Sequence, residues 1–193
     1  MEQEAATILT VPGWNGSGPE HWQSIWDRQH PEYRRIEFAN WQNTHRPDWV
    51  RALDLALATV PGEAVLVAHS LGCLAVVWWA ALNARRSSRV RGAMLVAPPS
   101  LTTSPCLLPA LASFMPVPVN PLPFPSLVVA SENDPFASFE EAAGMASAWG
   151  SELDCAGRAG HVNTASGHGV WPEGQQYLQR FVARLCAAQA LDA

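Results

Sequence analysis

Charge is scarce in this chain of 193 residues: charged side chains make up 15% and the formal net charge is −5. Few cations and a slight acidic excess give no electrostatic footprint for nucleic acid. The predicted helix 47–59 carries Asp48, Arg51 and Asp54, a mixed solvated face and not a basic patch. Cysteine is scarce too. Cys73, Cys106, Cys155 and Cys186 stand far apart, with no C-x-x-C spacing to hold a metal. Each is flanked by apolar or small residues, which predicts reduced core thiols in a reducing, cytoplasmic compartment. The opening "MEQEAATILT" begins acidic and becomes apolar only at Ile8, unlike a signal peptide.

Two binding motifs are also missing. No histidine pair has H-E-x-x-H spacing. Gly16-Ser17-Gly18 runs on into Pro19-Glu20-His21, so it is not the G-x-G-x-x-G of a dinucleotide site. No metal and no cofactor are expected. One run does lack charge: Ala64–Leu82 contains no Asp, Glu, Lys or Arg. Its length is that of a membrane span. Yet Pro61-Gly62 and Asn83 bound it and Gly72 divides it, which predicts two short buried elements and no membrane segment.

What is present is apolar bulk: 48% hydrophobic residues and nine tryptophans. The length favours one domain, 1–193, with a sizeable core. Strand-like runs at Thr7–Val11, Tyr33–Phe38, Ala64–Ala68, Val90–Ala97, Ser126–Ser131 and Ser151–Ala156 alternate with helix-like stretches. The helices are expected at Pro19–Gln29, Pro47–Thr59, Leu71–Ala84, Ser138–Trp149 and Glu173–Gln189. In the last, Tyr177, Leu178, Phe181, Val182 and Leu185 form one stripe. The runs around Val65, Met94 and Val128 are continuously apolar, as strands buried on both faces of a parallel sheet are. The alternation predicts a layered α/β fold with right-handed crossovers. Pro98–Pro125 breaks the rhythm, with nine prolines in 28 residues. It is too long for an ordinary loop, and an active-site cover, a mobile insertion and a packed irregular excursion all fit.

The apolar run holds a short polar interruption. "VLVA" reads as a buried strand, "LAVVWWAAL" as a buried helix, and Ala68-His69-Ser70-Leu71-Gly72 joins them. This is the small-x-Ser-x-Gly spacing of a nucleophile elbow. The sharp turn brings the positions flanking the serine by two residues close together, so both must be small. It lifts the Ser70 hydroxyl to the C-terminal edge of the sheet. The free N–H groups of the next helix then face any negative charge that develops there.

A serine hydroxyl needs a base, and the base needs an acid to orient it. On this kind of fold they follow in the order Ser, Asp or Glu, His. "SLVVASENDPF" supplies Glu132 and Asp134, and Asp134 is preferred because it lies in the turn before Pro135. "LDCAGRAGHVN" supplies His161, which is preferred over His168 because it comes first after the strand. His69 cannot easily turn back onto its neighbour Ser70, and is read as a packed structural histidine. His21, His30 and His45 precede the serine and fit the order poorly. An oxyanion hole is expected from the backbone N–H groups of Leu71 and, after Pro12-Gly13, of Trp14.

With these residues in place the chain resembles the α/β-hydrolase superfamily. More narrowly, it resembles the small serine-hydrolase family that includes the retinoblastoma-binding serine hydrolase and short bacterial proteins. Four segments carry the likeness: "VPGWNGSGPEHWQSIW", "LVAHSLGC", "LPFPSLVVASENDPF" and "AGHVNTASGHGVWPEG". The resemblance implies a compact α/β/α sandwich on about six mostly parallel strands. It implies a triad of Ser70, Asp134 and His161, and metal-independent, carboxylesterase-like hydrolysis of a small ester or amide. Two features depart from it. Ala68 stands where the elbow usually has glycine. The Leu-x-Cys-x-Glu motif associated with retinoblastoma binding is also incomplete: "LDCAG" has Gly157 in the glutamate position, within a predicted buried strand. That partner is not expected here.

Two rival readings share the scaffold. One is a non-catalytic interaction protein. The other is an aminopeptidase-like enzyme, with Glu20 or Glu132 gripping a peptide amine. Trp14, Trp41 and the proline-rich excursion are candidates to line an apolar pocket, as well as candidates for the core. Oligomeric state is not legible.

Overall fold

The structure, a computed structural model, describes residues 6–38, 41, 44–102 and 111–192. Its centre is a six-stranded sheet: β1 (Thr7–Val11), β2 (Arg34–Arg35), β3 (Ala64–His69), β4 (Val90–Val96), β5 (Ser126–Ala130) and β6 (Glu152–Cys155). The spatial order is β2-β1-β3-β4-β5-β6, and every pairing is parallel. Helices α1 (Trp22–Gln29), α2 (Arg46–Thr59), α3 (Leu71–Leu82), α4 (Phe139–Trp149) and α5 (Pro172–Asp192) cover it.

The two-residue period of the strands sorts the core into two layers. Leu66, Ala68, Leu95 and Val128 face one way and pack with α2, α3 and α4 through Leu53, Leu74 and Trp149. Val65, Val67, Met94 and Val129 face the other and pack with α1 and α5 through Trp22, Trp26 and Phe181. The fold is therefore an α/β/α sandwich. Because β3 is buried along its whole length, whatever follows its last residue is held at a fixed point on the sheet edge.

The ends of the sheet differ from the expectation. Tyr33–Phe38 yields only Arg34–Arg35 as strand, because this edge pairs with β1 at two positions alone. Ser151–Ala156 yields Glu152–Cys155, an edge strand that is half exposed and not buried. The thiols follow from this. Cys73 is buried, but Cys155 and Cys186 are exposed, on the edge strand and on the outer face of α5, so they are not core thiols. Cys106 lies outside the described residues. Helix α1 begins at Trp22 and not at Pro19, because His21 is its N-cap: the Nδ1 atom accepts the N–H of Gln23 at 3.2 Å. Asp54, expected in solvent, accepts the indole N–H of Trp79 at 3.2 Å.

The run Ala64–Leu82 divides into β3 and α3, and no helix among the described residues is long and apolar enough to cross a membrane. The described part of the proline-rich excursion is anchored at a few points, while Val119 and several prolines around it stay exposed. Phe114 is fully buried, its carbonyl accepts the indole N–H of Trp78 at 2.9 Å, and the Pro118 carbonyl accepts that of Trp149 at 2.9 Å.

Candidate active site

Ser70 sits between β3 and α3 with φ 54° and ψ −124°, a conformation that L residues avoid. Its side chain makes no capping bond to the helix, so the hydroxyl is not consumed as an N-cap. The turn is forced by close packing. A Cβ at position 72 would lie 2.4 Å from the Val11 carbonyl oxygen and 2.7 Å from that of Pro12, so only glycine fits. The Ser70 N–H donates to the Val96 carbonyl at 2.9 Å, which ties the turn to β4.

The loops after β5 and β6 bring two more side chains to this point. The Ser70 hydroxyl lies 2.8 Å from Nε2 of His161. Nδ1 of the same ring lies 2.8 Å from Oδ2 and 3.0 Å from Oδ1 of Asp134. With Nδ1–H donated to the carboxylate, Nε2 keeps its lone pair toward the serine. Asp134 is held in turn: Oδ1 accepts the N–H of Phe136 at 2.9 Å. The side chains of His161 and Asp134 are 9% and 4% exposed, so their hydrogen bond is shielded from water.

The other candidates fall elsewhere. Glu132 is exposed and takes a long contact from the Cys155 thiol. His168 pairs with the Ser166 hydroxyl at 3.2 Å and shapes the loop. His30 and His45 pair with Glu32 and Asp48 beside them in the chain. His69 is buried and donates from Nε2 to the His161 carbonyl at 2.9 Å. Burial, with the rings of His161 and His21 nearby, pushes its pKa well below the usual histidine range, so it stays neutral.

Ser70 opens into a cavity of about 330 Å³, near the lower end for ligand sites. Trp14, Leu71, Pro99 and Leu111 line it with His161. Leu71 is the first residue of α3, so its N–H has no partner within the helix. The loop that carries Trp14 presses on the serine: a Cβ at Gly13 would lie 2.9 Å from the Ser70 Cβ. Trp41 packs instead against Phe38 and Trp49. Glu20 and Glu132 are exposed and absent from the lining. Among the described residues, no group of three or more His, Cys, Asp and Glu side chains is placed to hold a metal ion.

Comparison with known proteins bears on this arrangement. The serine hydrolase family matches residues 8–180, most of the chain. The chain belongs to the serine hydrolase family. A protein of Pectobacterium atrosepticum described as a YdeN-like hydrolase is 35% identical. The match covers 94% of this chain and 93% of that one, with a TM-score of 0.83. The ydeN gene product of B. subtilis is 20% identical over 92% of this chain and 99% of its own, with a TM-score of 0.73. Est1E of Butyrivibrio proteoclasticus, solved with ferulic acid bound, is 11% identical over 92% and 90%, with a TM-score of 0.66. The last two likenesses are of fold alone. No curated protein matches the chain.

This serine hydrolase also uses residues that its sequence did not advertise. Asn133 Oδ1 accepts the N–H of Gly160 at 2.8 Å, clamping the loop of Asp134 to the loop of His161. Ser131 Oγ accepts the N–H of Ala159 at 3.0 Å and adds a second clamp. Asn163 and Ser166 cap each other's backbone N–H groups just beyond His161. Asn and Ser are common in turns for local reasons. The one available signal is that Asn133 and Ser131 sit within three residues of Asp134.

Proposed function

We propose that this chain hydrolyses a small ester or amide through Ser70, His161 and Asp134, by way of an acyl-enzyme. The observation that carries the reading is the continuous line from the Ser70 hydroxyl through both nitrogens of His161 to Asp134, with 2.8 Å at each step. Ser70 Oγ attacks the acyl carbonyl while His161 Nε2 takes its proton. Asp134 holds the imidazole tautomer and stabilises the imidazolium. The carbonyl electrons move onto oxygen, and the N–H groups of Leu71 and Trp14 donate hydrogen bonds to the resulting oxyanion. One such donor contributes roughly 3 kcal/mol to the transition state. The intermediate collapses, His161 gives its proton to the leaving group, and Ser70 is left acylated. Water then repeats the attack with His161 again as base. Side chains and backbone N–H groups of this chain supply every step.

The cavity volume suits a small acyl group. Among the described residues nothing at its walls favours the peptidase reading, since both candidate grips for an amine are exposed and outside the lining. A small-molecule substrate and a reducing, cytoplasmic location belong to the same reading. Labelling with a fluorophosphonate, read by intact mass, tests it. The wild type is expected to label stoichiometrically, Ser70→Ala not at all, and Asp134→Asn and His161→Ala slowly. A folded wild type that stays unlabelled overturns it in favour of an interaction protein.

A further inference from the structure

The loop between β1 and α1 carries Trp14, and one buried side chain grips that loop at both ends. Gln23, in the first turn of α1, is fully buried. Its Nε2 donates to the Val11 carbonyl at 3.2 Å and to the Val67 carbonyl at 3.0 Å. Its Oε1 accepts the Ser17 hydroxyl at 2.6 Å. These partners fix the orientation of the amide: the two carbonyls can only accept, and the hydroxyl is left to donate. Val11 ends β1, so the bonds to Val11 and Ser17 enclose residues 12–16.

The enclosed segment is the part of the loop that reaches Ser70. The Gly16 N–H donates to the Gly13 carbonyl at 3.0 Å, which makes residues 13–16 a turn with Trp14 as its second residue. Such a turn leaves the N–H of its second residue unused. Asn15 follows at φ 63°, a left-handed value that asparagine tolerates. The ends of the segment therefore set where the turn stands relative to Ser70. At the first end, the Val11 carbonyl that takes the Gln23 amide also packs on position 72 of the elbow. At the other, the Ser17 carbonyl accepts the Ser24 hydroxyl at 2.8 Å and the Arg35 guanidinium at 2.9 Å. Gln23 joins both ends to each other and to β3, the strand that leads into Ser70.

We propose that Gln23 is a positioning residue for the oxyanion hole: it holds the turn that presents the Trp14 N–H at a fixed place beside Ser70. The proposal rests on the reading of Ser70 as the nucleophile and of the Trp14 N–H as an oxyanion donor, and adds what sets that donor in place. A side chain that merely fills the core would change stability, but not how well a folded molecule holds an oxyanion.

Two variants loosen the grip. Gln23→Met keeps the length of the side chain and removes its hydrogen bonds. Ser17→Ala removes one hydroxyl and leaves Gln23 bonded to both strands. Two readouts follow folded molecules only. The first is the rate constant of fluorophosphonate labelling, taken from reactions that reach full stoichiometry by intact mass. The second uses 1,1,1-trifluorobutan-2-one. Ser70 Oγ bonds to its carbonyl carbon, the hydroxyl proton passes to His161 Nε2, and the carbonyl electron pair becomes the oxyanion of a hemiketal. Fluorine NMR across pH reads the ionisation of that hemiketal, which well-placed donors shift to lower pH.

Gln23→Met is expected to label about tenfold more slowly, a smaller loss than deleting an oxyanion donor outright. Its hemiketal should ionise about one pH unit higher, the same factor of ten. Ser17→Ala should change both readouts in the same direction by less. An ionisation unchanged in Ser17→Ala overturns the proposal, and that variant decides alone should Gln23→Met fail to fold. Slower labelling without a shift in ionisation overturns it too, since Gln23 then supports Ser70 or the fold and not the donor. A wild type that labels but forms no ionised hemiketal lacks the hole itself; the proposal falls and the hydrolase reading stands. A folded wild type that does not label overturns both.

Discussion

The turn that carries Ser70 and the loops that carry Asp134 and His161 meet at hydrogen-bond distance, but they are held there differently. The turn is backbone packed on backbone. Position 72 lies against the carbonyls of Val11 and Pro12, and the Ser70 N–H is spent on β4. The loops are held by side chains that reach across. Asn133 and Ser131 take N–H groups from the His161 loop, and Asn163 and Ser166 cap one another. A backbone-built turn has no slack and leaves its mark in five consecutive residues. A side-chain-built loop tolerates local change and leaves its mark in residues far apart in the chain.

The largest effect should come from filling the turn. In Gly72→Ala the new methyl would overlap two backbone carbonyls that belong to β1 and its following loop, and neither can swing aside. A loss of about 3 kcal/mol or more is expected, in the range of severe overpacking. Urea unfolding of the variant measures it. A loss under about 1 kcal/mol would mean that the turn relaxes as easily as the loops.

Between the two regions lie His69 and His21. His69 donates to the His161 carbonyl, and His21 packs on His69 with ring centres 4.8 Å apart. Both are held below the usual histidine pKa, His21 falling from 6.5 to about 3. Between those values the unfolded chain binds protons that the folded chain refuses. Stability is therefore complete above pH 6.5 and is lost as the pH falls toward 3. The loss should be on the order of a few kcal/mol, read from urea midpoints across that range. His21→Asn should flatten the curve. A flat curve in the wild type would mean that the junction takes up protons freely and is not a dry seam.

The same contrast explains what could be read in advance. Strands β3, β4 and β5 are buried on both faces, so their continuous apolar runs announced a parallel sheet. Strands β2 and β6 are edges, where pairing on one side only cuts the strand short and exposes it, so sequence overstated both. Cys155 and Cys186 went wrong for the same reason: small apolar neighbours say nothing about which side of an edge strand or outer helix faces water. Ser70 was legible because steric closeness demands small residues at fixed offsets. Asp134 and His161 could be picked out only by chain order and by their places after strands, and the structure brings both to the serine. Asn133, Ser131 and His21 were not legible, because each looks like an ordinary turn or capping residue until its distant contacts are known.

A milder test is aimed at the loops. Asn133→Ala leaves the Gly160 N–H without its acceptor and unclamps the His161 loop from the Asp134 loop. Because that amide can turn to water, the stability loss should be only about 1 kcal/mol. Activity should suffer more, roughly tenfold in kcat with little change in KM, since a loosened His161 still admits substrate. Asn133→Asp, which keeps the acceptor oxygen, should restore most of the rate. Equal losses in kcat and in stability with no rescue would mean that Asn133 only holds up the fold.

The smallest expected effect separates strain from packing within the turn itself. Ser70 is held at φ 54° and ψ −124°, a region that glycine enters freely and a residue with a Cβ does not. Such strain costs on the order of 1–3 kcal/mol and persists only where the surroundings enforce it. Ser70→Ala deletes the hydroxyl but keeps the Cβ, so the strain stays. Ser70→Gly deletes both, at the expense of a more flexible unfolded chain, which cancels part of the gain. The glycine variant should therefore unfold about 1 kcal/mol later than the alanine variant, some 2–4 °C for a chain of this size. Calorimetry of the two variants side by side reads that difference directly. If they unfold together, the elbow is not strained, and close packing at position 72 alone holds Ser70 in place.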